Sequence, residues 1–187
     1  LILGGSQGSV MLNERITKSI SILLNKIQKK DDRPNIKIIH QCGLGNDKDI
    51  KNYYSELNKE YPFFQYEIFE FIDNIDKFYQ KSEILISRAG ASTIAESIFY
   101  QIPTIYFPIT NSSGNHQYFN AKEMVDKKFG IMCPETISAD LFSQKIYQLL
   151  YDKEFKKTIL ESLKKNALNG NNDSTEKIIK EILNDIK

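Results

Sequence analysis

The sequence has no tryptophan, and only two cysteines and two histidines among its 187 residues. Cys42 and Cys133 lie far apart and neither belongs to a C-x-x-C spacing, so neither a zinc site nor a disulfide framework is expected. We interpret both as buried thiols in a reducing compartment. An excess of charge of one sign is also missing, since 25 Lys and Arg residues face 24 Asp and Glu residues. A general nucleic-acid-binding surface is therefore not expected.

Long apolar runs are missing as well. The longest, such as residues 102–109, are far shorter than the roughly 20 residues of a transmembrane helix. Peripheral attachment to a membrane stays open. The chain starts at Leu1 without an initiator Met or the basic flank of a signal peptide, which predicts the C-terminal piece of a longer protein. The residues that are present, 41% hydrophobic and 26% charged, indicate a folded globular domain rather than a disordered chain.

Short apolar runs rich in Ile and Phe alternate with longer segments of helical period. This alternation predicts an α/β fold with a parallel sheet of about six strands flanked by helices. The predicted strands are residues 1–3, 36–41, 66–69, 84–87, 104–107 and 130–133. The predicted helices are residues 10–29, 50–60, 75–81, 93–100, 117–127, 139–151, 153–168 and 174–186.

A glycine-rich turn, GGSQG at residues 4–8, stands between the first predicted strand and a long helix. Glycines allow close backbone approach and the amides of a helix start attract anions, so the turn is a candidate phosphate cradle. It has neither the G-x-G-x-x-G spacing of dinucleotide folds nor the lysine of a Walker A loop. The alternative is a tight turn in which Ser6 or Ser9 only caps the helix.

A second turn, SRAGAST at residues 87–93, leads from a buried strand into another helix. Two helix starts at the carboxyl edge of one parallel sheet predict a single crevice, which suits a diphosphate. Thr93 is a candidate helix cap that also donates to a sugar or phosphate. Glu96, one turn later, places a carboxylate suited to the vicinal hydroxyls of a ribose. The alternative for Glu96 is a residue favoured there by the helix dipole.

Further polar side chains are candidates for the same crevice. Arg88 on the second turn either contacts the diphosphate or is buried and ties the turn to a neighbouring carbonyl. His116 and Gln117 stand at a predicted helix start after a polar loop. His116 suits capping or a sugar contact, and the amide of Gln117, with donors and an acceptor, suits sugar hydroxyls. His40, in a predicted strand, is expected to be structural.

Taken together, these motifs resemble the donor-binding half of the MurG family of peptidoglycan UDP-N-acetylglucosamine transferases. The resemblance extends to about residue 168, and several separated motifs in the same order make it specific. Beyond the two glycine turns, the matching pieces are His40-Gln41 followed by Gly43, Glu70-Phe71-Ile72-Asp73, Thr93 with Glu96, Pro103, Pro108, and His116-Gln117 followed by Asn120-Ala121.

The resemblance implies a GT-B fold of two Rossmann-like domains with the active site between them. Residues 1–168 are then the UDP-GlcNAc-binding Rossmann-like domain, and residues 169–187 a C-terminal helix that packs toward an absent N-terminal domain. The resemblance assigns Ser6 to the donor phosphate, the backbone of Ile72 to the uracil edge and Glu96 to the ribose. The other implied donor contacts are Gln7, Gly8, Arg88, Gly90, Ala91, Ser92 and Thr93 at the diphosphate and sugar, and His116 and Gln117 at the GlcNAc.

The implied reaction transfers GlcNAc from UDP-GlcNAc to undecaprenyl-diphospho-MurNAc-pentapeptide, with inversion, in peptidoglycan synthesis. The expected partners are the donor, the lipid-linked acceptor held through the N-terminal domain, and the inner face of the cytoplasmic membrane, where the protein is expected to be peripheral. No cofactor, metal ion or nucleic acid is expected, and the general base is expected on the N-terminal domain. The alternatives are a related GT-B enzyme with another acceptor, or an isolated UDP-sugar-binding module that needs a partner half for turnover.

The chain departs from the family pattern at three positions. Family members commonly have glycine ahead of the proline that opens the fifth strand, where this chain has Gln101. They commonly have Asp before the His-Gln pair, where it has Asn115, and Ala at the position of Ser9. Each change is mild, although Asn115 is expected to weaken a charge-assisted contact in the sugar loop.

Overall fold

The computed structural model describes residues 1–5, 8–30, 34–109 and 115–168. In this part of the chain, six parallel strands form one sheet and seven helices accompany it. The elements are β1 (Ile2–Leu3), α1 (Val10–Ile27), β2 (Ile36–Gln41), α2 (Asp47–Glu60), β3 (Phe64–Phe69), α3 (Asp76–Tyr79), β4 (Leu85–Ser87), α4 (Ala91–Phe99), β5 (Thr104–Tyr106), α5 (His116–Asp126), β6 (Gly130–Met132), α6 (Ala139–Tyr151) and α7 (Lys153–Leu168). Among these described helices, none has the length and apolar character needed to cross a membrane.

The core lies between the sheet and the helices that cover it. The two residues of β1, at the centre of the sheet, are 2% and 5% exposed, as expected for a parallel strand covered on both faces. The apolar face of α1 packs against the sheet and α6, and it consists of Leu12, Ile16, Ile20, Leu23 and Ile27. This spacing of three and four residues is that of one helix face. Cys42 and Cys133 are buried free thiols, as predicted.

The predicted order of elements is confirmed from β1 to α7, and β2, α6 and α7 have the predicted bounds. Two predicted helix starts are too late, because α2 begins at Asp47 rather than residue 50 and α4 at Ala91 rather than residue 93. The first turns of both helices carry small or polar residues, which an apolar period does not detect. The predicted C-terminal segment, residues 169–187, lies outside the described residues.

The strand order, β3-β2-β1-β4-β5-β6, creates a switch point beside β1. From β1 the chain proceeds outward to β2 and β3, and it then returns to place β4 on the other side of β1. Ile2 pairs with His40 of β2 and with Ile86 of β4, so the turns that follow these strands are neighbours at the carboxyl edge. Open α/β sheets bind their ligands at such a point.

Candidate functional site

The turn between β1 and α1 depends on two glycines in the left-handed conformation. Gly5 and Gly8 have φ angles of 85° and 76°, and the N–H of Gly8 donates to the Gly5 carbonyl at 3.1 Å. A Cβ on Gly8 would lie 2.4 Å from the carbonyl oxygen of Cys42, so this turn packs directly on the turn after β2. Gly8 is therefore needed for its φ angle and for close approach. Ser6 and Gln7 lie outside the described residues.

Arg88 ties together several turns at the carboxyl edge. Its Nη2 donates to Oγ of Ser9, the N-cap residue of α1, at 2.6 Å, and its Nη1 donates to the Phe107 carbonyl at 2.9 Å. Nη1 also lies 2.7 Å from Oε1 of Glu135, and both of these side chains are only 11% exposed. The structure thus shows the buried tie that the sequence left as one of two alternatives. A contact of Arg88 with a diphosphate stays a prediction.

The start of α4 has no side-chain cap. Gly90 is the N-cap residue, with φ −71° and ψ 151°, and the first turn consists of Ala91, Ser92 and Thr93. The predicted cap by Thr93 is wrong, because the helix begins two residues earlier and Thr93 lies inside its first turn. Ala91 and Ser92 are exposed, so the first-turn amides and the positive end of the helix dipole are open at the carboxyl edge. This arrangement suits an anion.

Glu96 lies half-buried on α4, one turn beyond this start. Its Oε2 accepts from the Tyr79 hydroxyl at 2.6 Å. Burial raises the pKa of Glu96 above its usual range, the hydrogen bond from Tyr79 acts against that rise, and the nearby Asp76 adds to it. Tyr79 is 1% exposed, and its ring stacks on Tyr100 with 5.1 Å between the centroids. The short helix α3 therefore presents a fixed donor to the Glu96 carboxylate.

Gln41 connects the turn after β1 with the turn after β3. Its Nε2 donates to the Gly5 carbonyl at 3.2 Å, and its Oε1 accepts from the N–H of Ile72 at 3.0 Å. Gln41 and Ile72 are both buried. The Ile72 N–H is thus engaged within the protein, and a contact of the Ile72 backbone with a base stays a prediction. Gln41 has no role predicted from the sequence, although a glutamine that ends a buried strand is a signal for a polar contact.

His40 holds the turn after β2 in place. Asn13 of α1 donates through Nδ2 to the Cys42 carbonyl at 2.9 Å, so its Oδ1 accepts from Nε2 of His40 at 3.1 Å. With its proton on Nε2, His40 accepts at Nδ1 from the Tyr54 hydroxyl at 3.3 Å. Burial lowers the pKa of His40 to about 3, which keeps the ring neutral. His40 is structural, as predicted, whereas the parts played by Asn13 and Tyr54 were not visible in the sequence.

The start of α5 carries the two residues that the resemblance assigns to the sugar. His116 is the first helical residue and is exposed, and Gln117 follows it. Oε1 of Gln117 accepts from the N–H of Ile109 at 3.2 Å, so the segment after β5 fixes the orientation of this amide. Nδ2 of Asn120 donates to the Ala89 carbonyl at 3.2 Å, which anchors α5 to the turn after β4. The sugar contacts themselves stay predictions.

The described candidate residues share one edge of the sheet, because turns that follow parallel strands open on the same side. These residues are Gly8, Ile72, Arg88, Gly90, Ala91, Ser92, Thr93, Glu96, His116 and Gln117. A cavity of about 530 Å³ lies at the opposite, amino ends of the strands, and the residues lining it, such as Leu1, Ile36 and Ile84, include none of the candidates. The carboxyl edge, with two helix starts and a carboxylate, is therefore the candidate site.

Known proteins resemble this chain in sequence. A profile of the glycosyltransferase family 28 C-terminal domain matches residues 1–182. Two curated relatives are UDP-N-acetylglucosamine–N-acetylmuramyl-(pentapeptide) pyrophosphoryl-undecaprenol N-acetylglucosamine transferases, from Rickettsia bellii at 39% identity and from Rickettsia typhi at 41% identity, each over 170 residues. The matches cover 89% and 90% of this chain but 44% and 40% of the relatives. The chain thus spans less than half the length of these relatives.

Solved structures share the fold. MurG of Acinetobacter baumannii matches with a TM-score of 0.73 at 24% identity, over 87% of this chain and 44% of that one. The glycotransferase of kitacinnamycin matches with a TM-score of 0.60 at 15% identity, over 87% of this chain and 36% of that one. Identities this low show the fold alone, whereas the profile match extends over almost the whole chain. The chain belongs to glycosyltransferase family 28 and corresponds to the C-terminal domain of that family.

Proposed function

We propose that this chain supplies the UDP-GlcNAc site of an inverting transferase that adds GlcNAc to undecaprenyl-diphospho-MurNAc-pentapeptide, the step from lipid I to lipid II in peptidoglycan synthesis. Membership of glycosyltransferase family 28 and the names of the two Rickettsia relatives support the proposal. The observation that carries it is the pair of helix starts after the neighbouring strands β1 and β4, with the Glu96 carboxylate one turn along α4.

The donor extends along the carboxyl edge in this proposal. The uracil lies at the Ile72 carbonyl and the ribose at Glu96, which accepts a hydrogen bond from Tyr79 of α3. The diphosphate lies between the glycine turn at Gly8 and the first-turn amides of Ala91, Ser92 and Thr93, and Ser6 and Gln7 stay predicted contacts from the resemblance. The GlcNAc lies toward His116 and Gln117 at the start of α5.

Catalysis by this domain is electrostatic. Negative charge grows on the departing UDP as the acceptor oxygen attacks the anomeric carbon. The first-turn amides of α1 and α4 stabilise that charge in this proposal, and Ser6 is a further predicted contact. Arg88 is already paired with Glu135, so its main contribution is to fix the positions of the two turns relative to each other. The general base is assigned to the part of the protein that binds the acceptor, outside this chain.

The lipid-linked acceptor and the membrane are proposed as partners of the part of the protein that lies outside this chain. The acceptor carries an undecaprenyl chain, which partitions into the hydrocarbon of a bilayer. A transferase that uses it must therefore act at a membrane surface. We accordingly infer a peripheral location at the cytoplasmic face of the cell membrane.

Calorimetric titration of the complete protein with UDP-GlcNAc, UDP-GalNAc, UDP and TDP tests the donor site. We expect uridine ligands to bind more tightly than TDP, and UDP-GlcNAc more tightly than its epimer. Glu96→Ala should weaken UDP binding about tenfold or more, roughly 1.4 kcal/mol. Glu56→Ala is the matched control, since Glu56 is exposed on α2 and pairs with Lys59. Equal binding of UDP and TDP, or unchanged binding by Glu96→Ala, would contradict the proposal.

The length of the chain favours a second candidate for these 187 residues by themselves, a UDP-sugar-binding module without turnover. The chain covers only 44% and 40% of its two relatives. An assay for transfer of labelled GlcNAc separates the two candidates. Binding without transfer by the isolated chain, together with transfer by the complete protein, would identify the chain as a module.

A further inference from the structure

Tyr79 presents a buried hydroxyl to the carboxylate of Glu96. The phenol donates to Oε2 at 2.6 Å. The ring is 1% exposed, stacks on Tyr100 with an interplanar angle of 12°, and packs with Leu85 and Ile102 in a small apolar cluster. A buried phenol requires a partner for its O–H, and this packing directs that group to one carboxylate.

A hydrogen-bond donor at Glu96 favours its ionised form. Burial and the like charge of Asp76 both raise the pKa of Glu96, whereas the hydrogen bond from Tyr79 lowers it. The titratable groups that face Glu96 in the described structure are Asp76 and Tyr79 on α3 and Tyr100 at the end of α4. None of these three side chains is a cation. Tyr79 is therefore the neighbour that favours the carboxylate form.

An ionised carboxylate of fixed orientation binds vicinal hydroxyls more strongly than a neutral carboxyl group does. Two neighbouring hydroxyls donate together to the oxygens of a carboxylate, whereas a neutral carboxyl group presents a donor on one of its oxygens. The Tyr79 hydroxyl occupies one lone-pair direction of Oε2. This hydrogen bond leaves the second lone pair of Oε2 and both lone pairs of Oε1 for a ligand, and it restricts the orientation of the carboxylate.

We propose that Tyr79 is a positioning residue, which holds the Glu96 carboxylate for the ribose hydroxyls of the donor and so makes the site select ribonucleotides over 2′-deoxyribonucleotides. This inference rests on the proposed function, because it takes Glu96 as the ribose contact. Tyr79 acts through Glu96 and does not touch the donor. Its effect is therefore on discrimination between two sugars rather than on binding of nucleotides in general.

The test compares the Kd values of UDP and 2′-deoxy-UDP by calorimetry, on the complete protein and on its Tyr79→Phe variant. Phenylalanine keeps the buried, stacked ring and removes only the hydroxyl. We expect the unmodified protein to favour UDP by about tenfold or more, as for other hydrogen bonds to charged groups. In Tyr79→Phe the preference should fall to about threefold or less, mainly because UDP binds more weakly.

Tyr100→Phe is the matched control. The Tyr100 hydroxyl donates to Oδ1 of Asp76 at 2.8 Å. This variant therefore removes a hydroxyl group from the same stacked pair of rings and leaves the hydrogen bond from Tyr79 to Glu96 in place. We expect its preference for UDP over 2′-deoxy-UDP to stay within about twofold of the unmodified protein. Circular dichroism of both variants checks that they fold.

The pH dependence of UDP binding gives a second readout, which loss of packing alone would not move. Protonation of Glu96 weakens binding as the pH falls. In Tyr79→Phe this weakening should begin at a higher pH, because the hydrogen bond that lowers the pKa of Glu96 is gone. Tyr100→Phe should keep the profile of the unmodified protein.

The inference and the proposed function fail in different ways. Suppose that the unmodified protein prefers UDP and that Glu96→Gln removes this preference. If Tyr79→Phe then keeps both the preference and the pH profile, the inference is overturned and the donor site stands. If the unmodified protein binds UDP and 2′-deoxy-UDP equally, Glu96 is not the ribose contact, and the inference is overturned together with that part of the proposed function.

Discussion

His40 shows, at the scale of a single residue, how a buried polar side chain links folding to pH. Its ring accepts from Tyr54 and donates to Asn13, which in turn donates to the Cys42 carbonyl. In the neutral ring one nitrogen donates to Asn13 and the other accepts from Tyr54, and burial favours this neutral form. The turn that packs on Gly8 is therefore supported by a histidine that burial keeps neutral.

We expect acid to destabilise the fold through His40. Burial lowers the pKa of His40 from the ordinary 6.5 to about 3 in the folded state, so the unfolded chain binds the proton first as the pH falls. The free energy of unfolding should drop between about pH 6 and pH 4, with a contribution from this group of up to about 1.4 kcal/mol per pH unit. Urea unfolding at a series of pH values measures the slope.

His40→Gln is the comparison for this slope. The glutamine amide presents a donor and an acceptor to the same two partners and does not titrate. Its curve should be flatter than that of the unmodified protein over the same pH range. Parallel curves would show that other groups, and not His40, cause the loss of stability in acid.

At the scale of turns and helices, Gly8 and Gly90 precede the two helix starts of the site in different surroundings. Gly8 has a φ angle of 76°, and a Cβ there would lie 2.4 Å from the Cys42 carbonyl oxygen. Gly90 has a φ angle of −71°, and a Cβ there would have nothing within 4 Å. Gly8 is thus required by the fold, whereas the space beside Gly90 is open and its proposed role is to let a ligand approach.

We therefore expect opposite outcomes from two alanine substitutions. Gly8→Ala should lower the free energy of unfolding by about 2–4 kcal/mol, because it combines backbone strain with a clash against main chain. Gly90→Ala should lower it by less than about 1 kcal/mol, as for alanine at an N-cap, and should reduce UDP affinity instead. Urea unfolding and calorimetry measure the two effects. Equal losses of stability would contradict the different packing of the two turns.

The end of α4 contains a residue in a strained backbone conformation, and a substitution can relieve that strain. Gln101 has a φ angle of 55°, and it closes the helix in a Schellman motif with hydrogen bonds from Gln101 to Ile98 at 3.1 Å and from Ile102 to Ser97 at 2.9 Å. A left-handed conformation at a non-glycine residue costs roughly 1–2 kcal/mol. The departure from glycine noted in the sequence thus falls where glycine is favoured.

Gln101→Gly should raise the free energy of unfolding by about 0.5–1 kcal/mol, since relief of the strain exceeds the added entropy of the unfolded chain. Gln80→Gly is the matched control, because Gln80 is an exposed residue after α3 in right-handed helical conformation. That control should lose stability. Thermal unfolding measures both Tm values, and a lower Tm for Gln101→Gly would contradict the account of α4.

At the scale of the whole domain, one guanidinium joins four segments of the chain. Arg88 contacts Ser9, 79 residues away in sequence, as well as Phe107 and Glu135. These contacts connect the ends of β4 and β5, the start of α1 and the loop after β6. The relative position of the two helix starts is therefore set by a buried ion pair and its hydrogen bonds.

Arg88→Met should lower the free energy of unfolding by about 3–5 kcal/mol, because it removes the cation from a buried ion pair. The double variant Arg88→Met with Glu135→Met should recover part of that loss, since neither charge is then buried. A double-mutant cycle by urea unfolding gives the coupling energy. Additive effects of the two single variants would contradict the tie.

The sequence was sufficient for features that are local. The six strands, the two glycine turns and their common edge were predictable from the period of apolar residues and from the positions of glycines. Both patterns extend over only a few residues of the chain. The long-range contacts were not predictable in this way. Gln41 bonds to partners 36 and 31 residues away, and Tyr79 to one 17 residues away, so only the folded chain reveals them. Thr93 was misassigned as a cap because Ala91 and Ser92 carry no apolar signal.

The two hydrogen bonds of Gln41 link the turn after β1 with the turn after β3. One side chain is bonded to both Gly5 and Ile72, so a ligand that orders one turn also reduces the conformational entropy lost on ordering the other. If the proposed donor binds here, an anion and a base edge carried by the same molecule would gain from this coupling, whereas two separate fragments would each order the Gln41 bridge alone. The spacing of the two turns would then select the length of the ligand as well as its chemistry.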